Sequence, residues 1–241
     1  MSTPTPISLS DNPSRHLLEL TSRGCEVAKA AAQAVLDGLS NSSATRWDDV
    51  RKLEEELDTL DRLINEEVTA GIHKVSESKT REWLACLKFI IELERIGDLL
   101  LNVANRMQTV GSRLQSSDAQ DLSRMAALLT AMLEDVAAAF ADRDVRRAID
   151  VLKTDAELDR LRNLIFVRHI ENRENEPRQE SFHLVFISQA LERAGDHAKN
   201  LAEEICHLVS GRSVRHIMRE YDRPVEQVYF EKMRRSKADR G

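Results

Sequence analysis

The residues of this chain that could do chemistry are acidic, and they come in matched sets. Glu94, Asp98 and Asn102 are spaced four apart, and Glu192, Asp196 and Asn200 repeat the order at a constant offset of 98 positions. On an α-helix, residues four apart stand on nearly the same face, about 6 Å from one another. Each triplet is therefore a polar ladder of carboxylate, carboxylate and amide. Shorter steps precede them: Glu54 with Asp58, and Asp155 with Asp159, related by an offset of 101. Where antiparallel packing faces a step against the ladder that follows it, four carboxylates share one seam.

Carboxylates gathered without a partner repel one another and resist desolvation. A divalent or trivalent cation relieves both penalties and takes their oxygens as ligands. The residues point to metal binding at Glu54, Asp58, Glu94 and Asp98 in the first set, and at Asp155, Asp159, Glu192 and Asp196 in the second. Two other readings remain open. The ladders could be ordinary solvated faces neutralised by neighbours such as Arg95 and Arg193, or an enzymatic carboxylate site, although symmetric duplication argues against a single catalytic centre. His197 adjoins Asp196, but one helical step turns it about 100° away, so it reads as a rim or packing residue. Gly97 and Gly195 directly precede the aspartates. Glycine costs about 1 kcal/mol in a helix interior. Each should mark either close backbone approach at a metal-bearing face or tight helix packing.

The elements that must position these residues are helices. The 241 residues include only 8 Gly and 5 Pro, with 4% aromatic side chains, too little turn and strand chemistry for a sheet-rich fold. Apolar spacing predicts helices over 14–38, from Asp48 to between Ala70 and Ser76, from Lys79 to near Gly111, over 119–140, over 144–171, and from 178–180 to Val209 after Pro177. The stretch 110–118 combines Gly and Ser and ends in Asp118, a candidate helix cap, which sets the module boundary there. EELDTL at 55–60 resembles AELDRL at 156–161, so the duplication extends to the preceding helices. The fold class is all-α, two tandem three-helix bundles with two small cores. A flexible extension is expected over 1–13, the bundles over 14–110 and 119–210, and a C-terminal extension over 211–241.

Composition excludes several functions. The net charge of −6 lacks the concentrated basic surface that nucleic-acid binding requires, so no direct nucleic-acid partner is expected. No signal peptide and no long apolar run appears, which makes the cytoplasm the expected location. Cys25, Cys86 and Cys206 are far apart, with no C-x-x-C pair, and read as core or interface thiols. No phosphate loop, Cys/His nucleophile or G-x-S-x-G elbow supports catalysis.

At the doubled E-R-x-G-D blocks, Glu94 to Asp98 and Glu192 to Asp196, the sequence resembles the PhoU family of phosphate-specific transport accessory and regulatory proteins. Residues 92–107 and 190–205 match its two signature regions, and the six-helix duplication extends the resemblance over about 14–216. The resemblance implies two similar three-helix bundles that associate as a homodimer or higher homo-oligomer, with metal clusters on the acidic surfaces. It implies a non-enzymatic regulator of high-affinity phosphate uptake, with the ATPase of the phosphate ABC transporter and a phosphate-responsive sensor histidine kinase as partners. Such a protein would be cytoplasmic and peripheral to the inner face of the membrane through those partners. By motif position the strongest ligands are Glu94, Asp98, Glu192 and Asp196, joined by Asp58 and Asp159, with Glu54 and Asp155 as additional ones. Iron or zinc fits the family, and a hard oxygen set also admits magnesium, manganese, nickel or calcium. The competing functions are a structural helical adaptor without metal and a carboxylate-metal phosphatase. The repeats diverge at Asp61, whose equivalent is Arg162, so equal metal occupancy at the two faces is not expected. The extension also departs from the pattern: residues 219–241 carry seven basic and five acidic side chains with Tyr221, Tyr229 and Phe230, a solvated tail or a partner-docking helix.

Overall fold

The computed structural model describes residues 13–41, 44–171 and 179–210. The two extensions, with Tyr221, Tyr229 and Phe230, lie outside the described residues, as does Pro177. Six helices make up the described chain: α1 Pro13–Asn41, α2 Ala44–Gly71, α3 Glu77–Val110, α4 Ser116–Asp142, α5 Val145–Phe166 and α6 Gln179–Ser210. They form two three-helix groups, α1 to α3 and α4 to α6, and no strand occurs among the described residues.

Each helix follows from its apolar spacing. On α3, Phe89, Ile90, Leu93, Ile96, Leu100, Val103 and Met107 recur three or four apart and all are buried. On α4, Leu122, Met125, Leu129, Met132, Leu133 and Val136 do the same. Burying a side chain of this size stabilises by roughly 1.5–3 kcal/mol relative to leaving it exposed.

The cores are not separate. α1 packs against α4 and α3 against α6, so the buried residues of both groups form one continuous core. The reason lies in α1, whose Ala28, Ala31, Ala32 and Val35 are all fully buried. A stripe this small lets α1 approach α2, α3 and α4 together, so the two small cores expected from the duplication merge across it. Two polar contacts mark the α3–α6 side of the seam. Lys88 Nζ lies 3.0 Å from Glu204 Oε2, and the Arg106 guanidinium stands 4.5 Å from the centre of the Phe186 ring.

The connections are short. Gly111 ends α3 at φ 56°, where a β-carbon would be strained, and a 3-10 turn over Gly111–Arg113 follows. Between α4 and α5, Arg143 takes the left-handed conformation, and the Asp144 side chain accepts from the backbone N–H groups of Arg146 and Arg147. Asp118 does not cap α4. The helix begins earlier, at Ser116, and Asp118 is 1% exposed within the first turn. Its Oδ1 accepts from Arg168 Nη1 at 2.9 Å and pairs with His169 Nε2 at 3.0 Å. Two side chains from the wound π turn at Val167–Glu171 claim the carboxylate that a local reading gives to the helix end. α2 also starts before Asp48, at Ala44, because Trp47 turns inward against Gly38 and closes the α1–α2 corner.

Candidate functional site

The two ladders are positioned by a repeated knob-and-notch. A β-carbon on Gly97 would stand 2.8 Å from Leu57 Cδ1, and one on Gly195 would collide with Leu158 Cδ1. Leu57 and Leu158 are equivalent residues of the repeat, and both are fully buried. Of the two explanations for the glycines, helix packing is the one the geometry supports. The notch also sets the register of the seam. With Leu57 seated on Gly97, Glu54 lies beside the same spot, its Cγ 3.7 Å from where that β-carbon would be. α2 thereby delivers Glu54 and Asp58 to Glu94 and Asp98 of α3, and α5 delivers Asp155 and Asp159 to Glu192 and Asp196 of α6.

The α2–α3 face is a set of acids with little to oppose them. Partial burial raises the Glu54 carboxyl above its ordinary range, and the charges of Asp58, Asp98, Glu55 and Glu94 push the same way. Glu94 is raised first by burial and then by Asp98, with further contributions from Asp58 and Asp61. The opposing cation is Arg95, whose Nε lies 3.6 Å from Glu94 Oε2 and whose side chain is 61% exposed. Solvent screens such a pair strongly. Asp61 is raised by burial, relieved by a hydrogen bond from Asn65, and belongs to this face although it was not among the expected ligands.

The α5–α6 face holds the same acids together with cations of its own. Lys199 donates to the buried carboxylate of Asp155. Although burial works to lower it, the Lys199 ammonium is held above its ordinary value by the hydrogen bond to Asp155 and the charges of Asp155 and Asp196. Arg162 Nη2 lies 3.5 Å from Glu192 Oε1 and 3.9 Å from Asp159 Oδ1. Glu192 is raised by burial and by Asp196, against the pull of Arg162. Asp196 is raised by burial and by Asp155, against Lys199 and His197. The equivalents of Lys199 and Arg162 on the first face are Leu101 and Asp61.

The amides leave the ladders. Asn102 accepts from Arg106 on its own helix, and Asn200 donates to Glu92 on α3 at 2.9 Å. His197 is a bridging residue, its Nδ1 paired with the same Glu92 oxygen at 2.7 Å across the α3–α6 seam. Among the described residues, no three His, Cys, Asp or Glu side chains stand close enough to hold one ion. The α2–α3 face still fits a hard cation in its donor chemistry, since its oxygens are all carboxylate and Asp58 and Asp98 are exposed enough to swing.

The family pattern described as "PhoU domain" matches this chain twice, over residues 21–107 and 122–205, with one ladder in each copy. The chain belongs to the PhoU family. A relative from Rhizobium meliloti (strain 1021), named phosphate-specific transport system accessory protein PhoU homolog, is 32% identical over 200 residues, covering 80% of this chain and 84% of the relative. A relative of the same name from Xylella fastidiosa (strain Temecula1) is 28% identical over 210 residues, covering 86% of this chain and 87% of the relative. Among solved structures, PhoU from Pseudomonas aeruginosa matches the fold with a TM-score of 0.75 at 22% identity, over 83% of this chain and 98% of that one. The phosphate transport system regulatory protein PhoU from Streptococcus pneumoniae matches with a TM-score of 0.72 at 17% identity, over 83% of this chain and 96% of that one. PhoU membership sets the chain among regulatory proteins rather than enzymes. Among the described residues, no helix of this PhoU chain is long and apolar enough to cross a membrane.

Proposed function

We propose that this protein is a cytoplasmic regulator of phosphate uptake and phosphate-starvation signalling whose acidic helical faces dock its partners. Support comes from the doubled PhoU pattern and from relatives named as accessory proteins of phosphate-specific transport. The observation that carries the site reading is the α2–α3 face, where burial and the neighbouring carboxylates of Asp58 and Asp98 raise Glu54 and Glu94, Asp61 is raised by burial beside them, and the cation opposing Glu94 and Asp61 is the exposed Arg95. Such a surface attracts positive charge. Glu54, Asp58, Glu94 and Asp98 would hold a bound cation there, iron or zinc or a harder ion, which would supply charge neutralisation and a fixed point for a partner. The expected partners are a second copy of the chain, the phosphate transporter ATPase and the sensor histidine kinase, through which the protein would sit at the inner face of the membrane.

Deleting the gene should derepress a phosphate-starvation reporter in phosphate-rich medium, and reintroducing the wild-type chain should restore repression. A reporter that stays repressed after deletion overturns the regulatory reading. A second reading has its own observation: no three candidate ligands converge among the described residues, which favours an adaptor whose carboxylates meet basic partner residues directly. Partner binding by the purified wild-type chain that survives stripping of all metal with chelator would select that reading.

A further inference from the structure

The duplicated faces differ where a cation would matter most. On α5–α6, the ammonium of Lys199 sits on Asp155 and is drawn toward Asp196, while the guanidinium of Arg162 reaches both Glu192 and Asp159. All four candidate ligands of that face are thereby in contact with, or in the field of, a side-chain cation. On α2–α3 the same two positions carry Leu101, which has no charge, and Asp61, which adds another negative one. Between the two faces, these two substitutions move the balance by three charges: Leu to Lys contributes one and Asp to Arg two.

A cation approaching the α5–α6 face must displace Lys199 or Arg162 and leave a half-buried ammonium or guanidinium beside it. Lys199 is 30% exposed and Arg162 36% exposed, so neither is free in solvent. Removing one partner from a sheltered ion pair leaves the other charge uncompensated, which opposes entry. We infer that Lys199 and Arg162 are built-in replacements for an external cation, so that the α5–α6 face is closed to metal and any metal bound by this chain sits on α2–α3. The inference rests on the metal reading above only for the α2–α3 half.

The test uses the full chain, stripped with chelator and titrated with Mn²⁺, which suits oxygen ligands and is followed by its paramagnetic signal. Glu192→Gln and Asp196→Asn in the wild-type background should leave uptake unchanged. Lys199→Leu with Arg162→Asp, copying the first face, should add a second class of Mn²⁺ sites, abolished by adding Asp196→Asn. Should the double replacement fail to fold by circular dichroism, Lys199→Met alone should raise Mn²⁺ affinity at that face by about tenfold, equivalent to about 1.4 kcal/mol. Loss of wild-type uptake on Asp196→Asn, or no gain in the folded Lys199 and Arg162 variants, overturns the inference. Wild-type uptake that is insensitive to Asp98→Asn argues against the metal reading at α2–α3, a separate result from the gain-of-site comparison.

Discussion

At the residue scale, Glu54 and Glu94 of the α2–α3 face work against folding at neutral pH. Glu54 and Glu94 have folded-state carboxyls raised above their ordinary values, so the folded chain binds their protons more tightly than the unfolded chain does. Stability from these groups therefore rises as pH falls from neutral through the raised values toward the ordinary carboxylate range. In metal-free buffer, Glu94→Gln should stabilise the protein at pH 7 by roughly 0.2–0.5 kcal/mol, the size of a like-charge pair one helical turn apart. The gain should fade on acidification, and urea unfolding at pH 7 and pH 5 checks it. The thiols behave oppositely to reactive sites: burial pushes Cys25 and Cys206 up to about 12 and Cys86 upward as well. Alkylation of the native protein at pH 8 should proceed only as fast as it opens, and labelling that outpaces unfolding would contradict this. Asp118 is the buried charge with most to lose. Asp118→Asn should cost roughly 1–3 kcal/mol by weakening charge-assisted bonds to Arg168 and His169, read as a lower urea midpoint.

At the element scale, close helix approach depends on residues without side chains. Gly97→Ala gains about 1 kcal/mol of helix propensity but drives a β-carbon into Leu57, an overpacking cost of roughly 1–3 kcal/mol. Leu57 presents a terminal methyl that can shift, so the net effect should be small. Gly38→Ala meets the rigid Trp47 ring at 2.6 Å and should cost more. Thermal melts of the two variants test the order. The helices themselves were legible in the sequence, because a three-four apolar rhythm over twenty or more residues has one solution. The ladders were legible for the same reason, since carboxylates four apart must share a face. The internal cations were less so: Arg162 showed as a divergence from Asp61, but which way Lys199 points depends on the angle at which α5 crosses α6. Asp118 was misread because a cap is a local signal, whereas its partners lie 50 and 51 positions away.

At the scale of the whole molecule, the continuous core makes the halves one cooperative unit. Calorimetric and van't Hoff enthalpies of unfolding should agree in a single transition. Two resolved transitions would mean that the seam between α1 and α4 and between α3 and α6 contributes little. That seam has a further consequence. Each of its helices meets its own counterpart in the repeat, first with fourth and third with sixth. The 98-position offset carries Lys88 onto Phe186 and Arg106 onto Glu204, so the Lys88–Glu204 ion pair and the Arg106–Phe186 stack are images of one another. Residue meeting partner, with the exchanged pair meeting in turn, is the rule of a two-fold interface between identical subunits. The chain has the internal geometry of a homodimer of three-helix proteins joined end to end. Once joined, the two copies were free to mutate separately, which is how one acidic face could acquire a lysine and an arginine that the other lacks.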